Sequence, residues 1–395
     1  MTTPTYHQLP PSRPFWLLTG IAAVLMLVGF SAAHHMETMG HWVTGMSNRI
    51  VWGMPHVFAV FLIVSASGAL NVASIASVFG RDDYKPLSRL SSLLAIALLL
   101  GGLAVLVLDL GRPDRLIVAM THYNFRSIFA WNIFLYTGFM ALVAVYLWMM
   151  FEPRMNRWVR RVGTLAFSWR LILTTGTGLI FGVLVARESY DSLIFAPMFI
   201  AMSLSFGTAL TLLCAMFVFA IRGDHLPDEQ VTRLRRLLGY FVIAVAFFVI
   251  VDQLVRWFSS GHEAAQRFLL FEGGIYTILF WIGQGIIGTV APALVLLLKR
   301  FDGRSATVGA ALLVLVGAFF QLYVLIIGGQ AFPIDMVPGF TESSGFFDGA
   351  IAEYHPSFAE ISLGVGGLGL ALLVFLIGAR VLAFLPAPAS GQPAR

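Results

Sequence analysis

Ten long apolar segments constrain the fold of this chain more than any other feature of its sequence. A helix needs about 20 apolar residues to cross the hydrocarbon core of a bilayer, where lipid-exposed loops and sheet edges do not occur. The segments lie at about residues 15–33, 54–79, 89–109, 128–151, 164–187, 194–221, 237–258, 275–298, 306–330 and 358–384. With 58% hydrophobic and 11% charged residues, the composition excludes a soluble protein of this length. The sequence therefore predicts an all-α integral membrane protein with ten transmembrane helices.

The basic residues predict how these helices are oriented. Loops on one side of the membrane carry 17 of the 25 lysines and arginines and loops on the other side carry 7, while Arg170 lies within a helix. Because short cytoplasmic loops are enriched in basic residues, we expect a multi-pass protein of the bacterial cytoplasmic (inner) membrane with both termini in the cytoplasm. The basic sequence pI of about 9.6 follows from this asymmetry. The expected contact is therefore membrane lipid, and no nucleic acid is predicted as a partner.

Acidic residues and loop lengths indicate that the outer face is the working face. Thirteen of the 20 Asp and Glu residues lie at or near that face, and the loops there are the longer ones. Residues 331–357 form a long outer loop, and its aromatic content favours a packed segment that meets a partner over a disordered connector. The aromatic residues are Phe332, Phe340, Phe346, Phe347 and Tyr354.

One stretch between two apolar segments concentrates ionisable groups. Residues 107–131 leave the third segment at Asp109, turn at Gly111 and Pro113, and then enter the fourth segment. Glycine supports a turn and proline fixes φ, so the helix is expected to stop here. Ionisable groups at such a boundary are costly unless they are paired or hydrated, which makes Asp109 and Arg112 candidates for function. A helix cap with an interfacial salt-bridge cluster is the alternative.

Polar side chains from several helices are expected at similar depth in the outer half of the membrane. They are His56, Asp109, Arg187, Glu188, Asp252 and Arg256, with Trp131 and Tyr136 near the outer end of the fourth segment. Asp252 and Arg256 are four residues apart, so both lie on one face of their helix. Gln284 and Gln321 are expected at mid-depth. This convergence favours a shared functional pocket.

The residue types limit what such a pocket can hold. Haem with two histidine ligands needs facing helical histidines, and only His56 qualifies. The single cysteine, Cys214, excludes an iron–sulfur cluster or a zinc site built from cysteines. The outer residues His34, Glu37 and His41 have an irregular spacing for metal ligands, so no metal is predicted.

An amphipathic ligand fits the pattern better. A quinone needs an apolar pocket with a few polar groups, and His and Asp side chains can exchange its protons. A proton-coupled transporter is the competing class, because charged residues within helices also mark substrate and proton paths. A structural membrane anchor for a redox complex is the third possibility.

Three motifs resemble the NrfD/polysulfide-reductase membrane-subunit family. The sequence Leu108-Asp-Leu-Gly-Arg-Pro113, followed by Ser127 and Trp131 at the start of the next helix, is similar to the signature of that family. His56 is similar to its quinone-contacting histidine. Within the family, the ten-helix length and the sequence Phe125-Arg-Ser-Ile-Phe-Ala-Trp131 most resemble the DsrP type, the membrane subunit of sulfite-reductase-associated DsrMKJOP complexes.

The resemblance implies an architecture of two four-helix bundles, formed by segments 2–5 and 6–9, with flanking helices 1 and 10. The expected divisions are residues 1–53 for the tail, first helix and outer loop, 54–193 for the first bundle, 194–357 for the second bundle, and 358–395 for the last helix and cytoplasmic tail. One departure concerns the first bundle. Polysulfide-reductase subunits place an Asn three residues before the histidine, where this chain has Gly53. The quinone contacts are therefore expected to differ from those of that family.

The resemblance also implies a function. Menaquinone or ubiquinone would bind as substrate near the outer face, with no haem or iron–sulfur cluster in this chain. A periplasmic ferredoxin-like iron–sulfur subunit would dock there, with a multihaem cytochrome c and other membrane redox subunits completing a complex of sulfur metabolism. The chain would then act as a quinol/quinone oxidoreductase subunit only within that complex.

Roles can be assigned to single residues on this basis. His56 would hydrogen-bond a quinone oxygen, Asp109 would accept or relay the proton, and Arg112 would hold Asp109 or the docked partner. Asp252, with Arg256, would continue a polar path inward. Trp131 and Tyr136 are further quinone-contact candidates, with Tyr123 as the alternative tyrosine.

Overall fold

The structure, a computed structural model, describes residues 5–259, 261–334 and 349–386. Within these ranges ten helices are long and apolar enough to cross a membrane, and we number them as spans 1 to 10. They are Arg13–Met39, Met54–Ser77, Asp82–Leu108, Ile128–Phe151, Pro153–Gly182, Phe195–Ile221, Asp228–Phe258, Ile275–Leu297, Arg304–Ala331 and Phe358–Val381. Each coincides with one predicted segment, so the prediction of an all-α membrane protein with ten spanning helices is confirmed.

Two spans are not uniform α-helices. Span 8 consists of an α-helical turn Ile275–Ile278, a π-helix Leu279–Val290 and an α-helix Ala291–Leu297. Span 9 runs as an α-helix Arg304–Tyr323, a π-helix Val324–Gly328 and a short α-helix Gly329–Ala331. A π-helix has a wider turn than an α-helix and is frequent at functional sites. The irregular geometry is therefore concentrated in the second half of the chain.

The remaining elements are short. Spans 3 and 5 begin with 3₁₀ turns, Asp82–Tyr84 and Pro153–Met155, before their α-helices Lys85–Leu108 and Asn156–Gly182. Between spans lie the 3₁₀ turns His41–Val43, Pro113–Arg115 and Lys299–Phe301, the α-helices Leu116–Thr121 and Glu263–Arg267, and the π-helix Phe268–Glu272. Two strands, Tyr6–His7 and Leu385–Pro386, pair antiparallel and bring the segments before span 1 and after span 10 together.

Span 2 is the centre of the packing. Within its apolar window 94% of residues are buried, against 17% in span 1. Span 2 packs against spans 3, 5, 6 and 10, whereas span 1 packs mainly against span 10. The contact between spans 2 and 6 joins the two predicted four-helix bundles, and the division into those bundles stays a prediction.

Small residues let spans 2 and 6 touch backbone to backbone. A methyl group added at Gly68 would lie 1.6 Å from the carbonyl oxygen of Ser203, and one added at Gly207 would lie 2.1 Å from the carbonyl carbon of Gly68. No other residue type fits at this crossing, because close helix approach in membranes depends on small side chains. Gly68 belongs to the run of small residues Ser65-Ala-Ser-Gly-Ala69, which suits such an approach.

The spans have two opposite ends that carry different polar contacts. At one end, which we call the His56 face, the end of span 1, the start of span 2, the ends of spans 3, 5 and 9 and the start of span 10 meet. At the opposite face, arginines tie loops together: Arg89 donates to the carbonyl oxygen of Ala383, Arg222 to that of Pro386, and Arg235 pairs with Asp302. The candidate site lies at the His56 face.

Candidate functional site

A histidine and a carboxylate from two neighbouring spans form the centre of the site. His56 lies in the first turn of span 2, and Asp109 is the residue directly after span 3. His56 Nδ1 lies 3.0 Å from Asp109 Oδ2, with side-chain exposures of 21% and 1%. A carboxylate on Nδ1 orients an imidazole and favours the tautomer that carries the proton there. His56 Nε2 has no hydrogen bond within the described residues, so it is available to a ligand.

A second histidine contacts the same carboxylate from the outer loop. His41 Nε2 lies 3.0 Å from the backbone oxygen of Asp109 and 3.9 Å from its Oδ1. The turn after Asp109 lies beside the same ring, since a methyl group added at Gly111 would be 3.9 Å from His41 Nδ1. His41 lies in a loop with an irregular spacing for metal ligands, and nothing in the sequence around it indicates its contact with Asp109.

Aromatic rings surround His56 on one side. The Trp52 ring stacks against the His56 imidazole with centroids 6.0 Å apart and an interplanar angle of 29°. Trp52 also contacts the rings of Phe129, Phe181 and Tyr190 at 5.6–6.3 Å. These rings form an apolar wall beside a polar pair, which is the combination that binds the head of an amphipathic ligand.

Hydrogen bonds to span 9 fix the loop that carries Trp52. Gln330 Oε1 accepts from the backbone N–H groups of Val51 and Trp52 at 2.9 and 3.0 Å, and Gln330 Nε2 donates to the oxygen of Trp52 at 2.9 Å. Arg187 donates to the carbonyl oxygens of Gln330 and Arg49, both at 2.8 Å. Burial lowers the pKa of the Arg187 guanidinium, and these two carbonyl acceptors stabilise its charged form.

The last span adds a buried carboxylate next to the start of span 2. Glu360 accepts hydrogen bonds from the N–H of Gly45 at 2.7 Å and from the Tyr354 hydroxyl at 2.6 Å, and that hydroxyl accepts from the N–H of Met54 at 2.6 Å. Burial, followed by the bond to Glu360, raises the pKa of Tyr354, so its hydroxyl stays a donor. A methyl group at Gly53 would lie 2.4 Å from Glu360 Oε1. Glu360 therefore occupies the space where the resemblance predicts an Asn side chain.

Arg112 does not hold Asp109, and that part of the prediction is wrong. Its guanidinium donates to both carboxylate oxygens of Asp114, at 3.0 and 2.8 Å. Both side chains are more than half exposed, and the hydrogen bond from Arg112 holds the pKa of Asp114 below its usual value. The two residues are close in sequence and lie in a solvated turn, so Arg112 satisfies its charge locally.

Trp131 and Tyr136 lie apart from the pair. Trp131 is half exposed, and its Nε1 donates to the carbonyl oxygen of Phe125 at 2.8 Å. Tyr136 is buried between spans 4 and 5, with its hydroxyl 3.3 Å from Thr177 Oγ1. Neither has a hydrogen bond or ring contact with His56 within the described residues, and the aromatic neighbour from the start of span 4 is Phe129.

A second polar cluster lies at the end of span 7. Arg256 Nε donates to Asp252 Oδ2 at 2.9 Å, and the two side chains are 6% and 4% exposed. Ser192 donates to Asp252 Oδ1 at 2.6 Å, and Arg256 Nη1 donates to the carbonyl oxygen of Glu188 at 2.9 Å. The pairing of Asp252 with Arg256 on one helix face, predicted from their spacing, is confirmed.

One segment links the two clusters. Residues 183–194 connect spans 5 and 6, and the Tyr190 ring from this segment packs on Trp52 while Ser192 bonds Asp252. The Tyr190 hydroxyl also donates to the oxygen of Ile326 at 2.7 Å, which fixes the segment against span 9. The predicted convergence of polar groups is thus resolved into two separate clusters that share a connecting segment.

A buried arginine lies deeper in the protein. Arg170 in span 5 is 1% exposed, and it donates to Asn71 Oδ1 at 3.2 Å and to the oxygen of Ser67 at 3.4 Å. Its guanidinium also lies 4.9 Å from the centre of the Phe167 ring. In the described part of the chain no carboxylate lies within ion-pair distance of Arg170, and polar groups of span 2 hold its charge instead.

Residues that commonly bind metals are dispersed. Within residues 5–259, 261–334 and 349–386, no group of three or more His, Cys, Asp or Glu side chains is arranged to hold a metal ion. Cys214 is a free thiol in span 6. The expectation that this chain carries no haem or iron–sulfur cluster stays a prediction.

Comparison with known proteins agrees with this arrangement of spans. A family profile described as "Polysulphide reductase, NrfD" matches residues 42–334, which contain spans 2 to 9. The chain is 30% identical over 380 residues to the Hdr-like menaquinol oxidoreductase integral membrane subunit of Archaeoglobus fulgidus, covering 95% of both chains. It is 25% identical to the NrfD protein of Escherichia coli, over 71% of this chain and 95% of that one. The menaquinone reductase integral membrane subunit of Nitratidesulfovibrio vulgaris is 22% identical over 91% of this chain and 89% of its own length. The chain therefore belongs to the NrfD family of polysulfide-reductase membrane proteins.

Proposed function

We propose that this chain is the quinone-interacting membrane subunit of a respiratory electron-transfer complex. The observation that carries the proposal is the His56–Asp109 pair, in which a buried carboxylate oxygen lies 3.0 Å from one imidazole nitrogen and leaves the other accessible. Two relatives support a quinone as the ligand, since their names describe a menaquinol oxidoreductase and a menaquinone reductase. In this proposal the chain turns over only within the complex, whose other subunits carry the electrons away from the quinone.

The residues present fit a quinol. When a quinol is oxidised it loses two electrons and two protons, and each proton needs an acceptor within hydrogen-bond distance of a ring oxygen. His56 Nε2 would accept the two hydroxyl protons in turn and release the first to solvent before it takes the second, while Asp109 beside Nδ1 stabilises the imidazolium formed each time. The two electrons would pass to an iron–sulfur partner protein. His41, 28% exposed and 3.9 Å from Asp109 Oδ1, lies between this carboxylate and the surface. The rings of Trp52 and Phe129 would flank the quinone head.

The other predicted site residues lie further from the His56–Asp109 pair, and their proposed roles differ. Trp131 and Tyr136 would contact the ligand only through movement of span 4, since neither contacts the pair directly. Asp252 with Arg256 would continue a polar path away from the site, along the segment that carries Ser192. Arg112, being exposed, would contact a docked protein, and Arg112→Ala should lower partner affinity in a pull-down without reducing the amount of folded subunit.

An extracytoplasmic iron–sulfur protein is the proposed electron partner, as part of a complex in sulfur metabolism that also contains a multihaem cytochrome c. The His56 face supports a docking role because it exposes large apolar side chains. Trp42 is 76% exposed, Ile117 60% and Phe125 67%. All three residues lie outside the ten spans, and exposed apolar surface there is available to a partner protein. The predicted docking loop 331–357 is described only in part, and its Phe340, Phe346 and Phe347 lie outside the described residues.

Orientation in the membrane is the first prediction. The ratio of 17 to 7 basic residues supports an orientation with the His56 face outside the cytoplasm and both termini inside. A reporter that is active only outside the cytoplasm should be silent when fused after Arg161 and active when fused after Gly345. Both fusions should be compared at equal expression in the cytoplasmic membrane of a bacterial host. The reverse pattern would contradict the proposed side of quinone and partner binding.

A transporter is the second candidate, favoured by the buried Asp252–Arg256 pair, since such pairs also line proton paths. The two functions differ in what the purified protein does. With a short-tailed menaquinol or ubiquinol, the assembled complex should reduce its iron–sulfur subunit, which electron paramagnetic resonance detects. Proteoliposomes containing this chain alone should not dissipate an imposed pH gradient. Loss of the gradient together with no quinol-dependent reduction would favour the transporter.

A further inference from the structure

A polar cavity lies between spans 7, 8 and 9, away from His56. Its volume is about 60 Å³, and its polar lining includes Asp252, Gln253 and Arg256 from span 7, Gln284 from span 8 and Gln321 from span 9. All but Gln253 are at least 93% buried. Burying polar side chains in a membrane protein costs free energy unless their donors and acceptors are hydrogen-bonded, and in membrane proteins such side chains commonly mark functional sites.

Two donors in this cavity have no acceptor. Arg256 uses Nε on Asp252 and Nη1 on the carbonyl oxygen of Glu188, while its Nη2 is buried with no hydrogen-bond partner among the described residues. Gln321 Nε2 is likewise buried without a partner in that part of the chain. Leaving a buried donor unsatisfied costs about 1–3 kcal/mol. Arg256 and Gln321 both line the cavity, so these two donors need an acceptor oxygen within it.

The backbone around the cavity is shaped by π-helices. Phe268 comes from the π-helix Phe268–Glu272, Gln284 from Leu279–Val290, and Val324 from Val324–Gly328, and all three residues line the cavity. Each π-turn widens the helix and costs stability, and such turns persist mostly at functional sites. Three of them around one cavity argue that the space is built to bind a ligand.

An apolar groove opens from the cavity toward lipid. It has a volume of about 690 Å³ between spans 7 and 8, and its walls include the exposed side chains of Leu254, Trp257 and Trp281. Four residues line both spaces: Val249, Gln253, Phe280 and Gln284. The cavity has room for a polar group of a few atoms, and the groove has room for a ring and a tail. The pair of spaces therefore suits an amphipathic molecule with an oxygen reaching into the cavity and its ring and apolar tail along the membrane-facing groove.

The depth of the cavity in the membrane and the charges around it favour a ligand with a neutral polar group. Asp252, Gln284 and Gln321 lie six to ten residues inside the ends of their spans, roughly 10–15 Å along the helix axis. A phosphate head group at that depth would be an uncompensated charge, because Asp252 already neutralises Arg256. A neutral head with carbonyl oxygens satisfies both free donors without adding charge.

We propose that this cavity and groove bind a second isoprenoid quinone, distinct from the one at His56, with a ring carbonyl accepting from Arg256 Nη2 and Gln321 Nε2. The choice of quinone rests on the proposed function, whereas the neutral amphipathic ligand follows from the cavity itself. No electron transfer is assigned to this site. The second molecule would be held in the protein while the first exchanges with the membrane pool.

The test is photoaffinity labelling of the assembled complex in native membranes with an azido-quinone analogue, followed by peptide mass spectrometry. Wild-type protein should be labelled in two places, near span 2 and within residues 246–290. Gly285→Trp fills the groove from a position where an added methyl group meets its nearest atom at 3.4 Å. It should lower labelling of residues 246–290 at least tenfold and leave labelling near span 2 unchanged.

Matched variants separate the outcomes. Gly309→Trp is the control, because Gly309 in span 9 has no atom within 4 Å of an added methyl group, and both labels should persist. Gln321→Leu keeps the side-chain volume and should lower only the second label, even if Gly285→Trp does not fold. Labelling near span 2 alone would overturn the second site and leave the proposed function intact. Labelling at neither place would overturn both. If a photoreactive phospholipid labels residues 246–290 and the quinone does not, the groove binds lipid and the proposal is wrong.

Discussion

Asp109 and Asp252 are both buried carboxylates paired with a basic residue near the same face, yet their partners make them different. Asp109 pairs with a histidine that is 21% exposed and whose imidazole ring can both donate and accept a proton. Asp252 pairs with Arg256, a permanent cation that is 6% exposed. The first pair can exchange protons with a ligand, while the second is a fixed neutral unit. The partner residue, not the carboxylate, decides which cluster does chemistry.

The helices next to the two carboxylates also differ in their geometry. His56 and Asp109 lie on or next to the regular α-helices of spans 2 and 3, and the loop before span 2 is fixed by Gln330 and Glu360. Around Asp252 the π-helices of spans 8 and 9 leave a cavity beside the pair. A rigid site with one accessible nitrogen suits turnover, and a wider cavity with free donors suits retention of a ligand.

The largest expected effect comes from breaking the fixed pair. Asp252→Leu leaves Arg256 as a buried unpaired cation, which costs about 3–5 kcal/mol. The amount of folded protein should fall sharply and its melting temperature in detergent should drop, as measured by size-exclusion chromatography of a fluorescent fusion after heating. The double variant Asp252→Leu with Arg256→Met should recover most of the loss.

Asp114→Ala is the matched control for that experiment. It removes an aspartate that also pairs with an arginine but is 60% exposed, and exposed pairs contribute about 0–1 kcal/mol. Equal stability of Asp252→Leu and Asp114→Ala would show that the buried pair is not a structural unit.

Removing the proton-exchanging histidine should affect turnover more than folding. His56→Ala removes a hydrogen bond to a ring oxygen that strengthens as charge develops, and the loss of one such group lowers the rate about 10²–10³-fold. The measurement is quinol-dependent electron transfer normalised to assembled complex. His56→Gln, which can still bond Asp109, controls for folding, and the exposed His35→Ala on span 1 should behave as wild type. Normalised activity of His56→Ala equal to that of wild type would remove His56 from the site.

The carboxylate behind the histidine should have a smaller effect. Asp109→Asn keeps the volume but cannot stabilise an imidazolium, and losing the partner that orients a functional histidine costs about 10–100-fold. Normalised turnover should fall while assembly stays intact. If Asp109 only caps span 3, the same variant would instead lower the yield of complex and leave activity per complex unchanged.

Sequence reasoning identified the residues whose partners are determined locally or by depth. Hydropathy was sufficient to predict the ten spans, and the i,i+4 spacing was sufficient to place Asp252 and Arg256 on one helix face. Similar depth at the ends of neighbouring helices grouped His56 with Asp109. It failed at Arg112, because an acidic residue two positions away, Asp114, competes better than one across a helix end.

Contacts distant in sequence were not predictable. Hydrogen bonds join His41 to Asp109, Val51 to Gln330 and Gly45 to Glu360, and these pairs are 68, 279 and 315 residues apart in the sequence. Such pairs follow from how the spans pack, which in turn depends on crossings such as Gly68 on Gly207. The π-helices were not predictable from the sequence either, because they contain the same apolar residue types as any spanning helix.

A double-variant cycle on His56 and Asp109 tests the central claim most directly. If Asp109 acts through His56, then Asp109→Asn should slow normalised quinol turnover in the wild-type background and have no further effect in the His56→Ala background. The double variant would then turn over as fast as His56→Ala alone, in the same membranes and at the same level of assembled complex. If the two losses multiply instead, the residues act independently and the site does not work as a histidine–carboxylate pair.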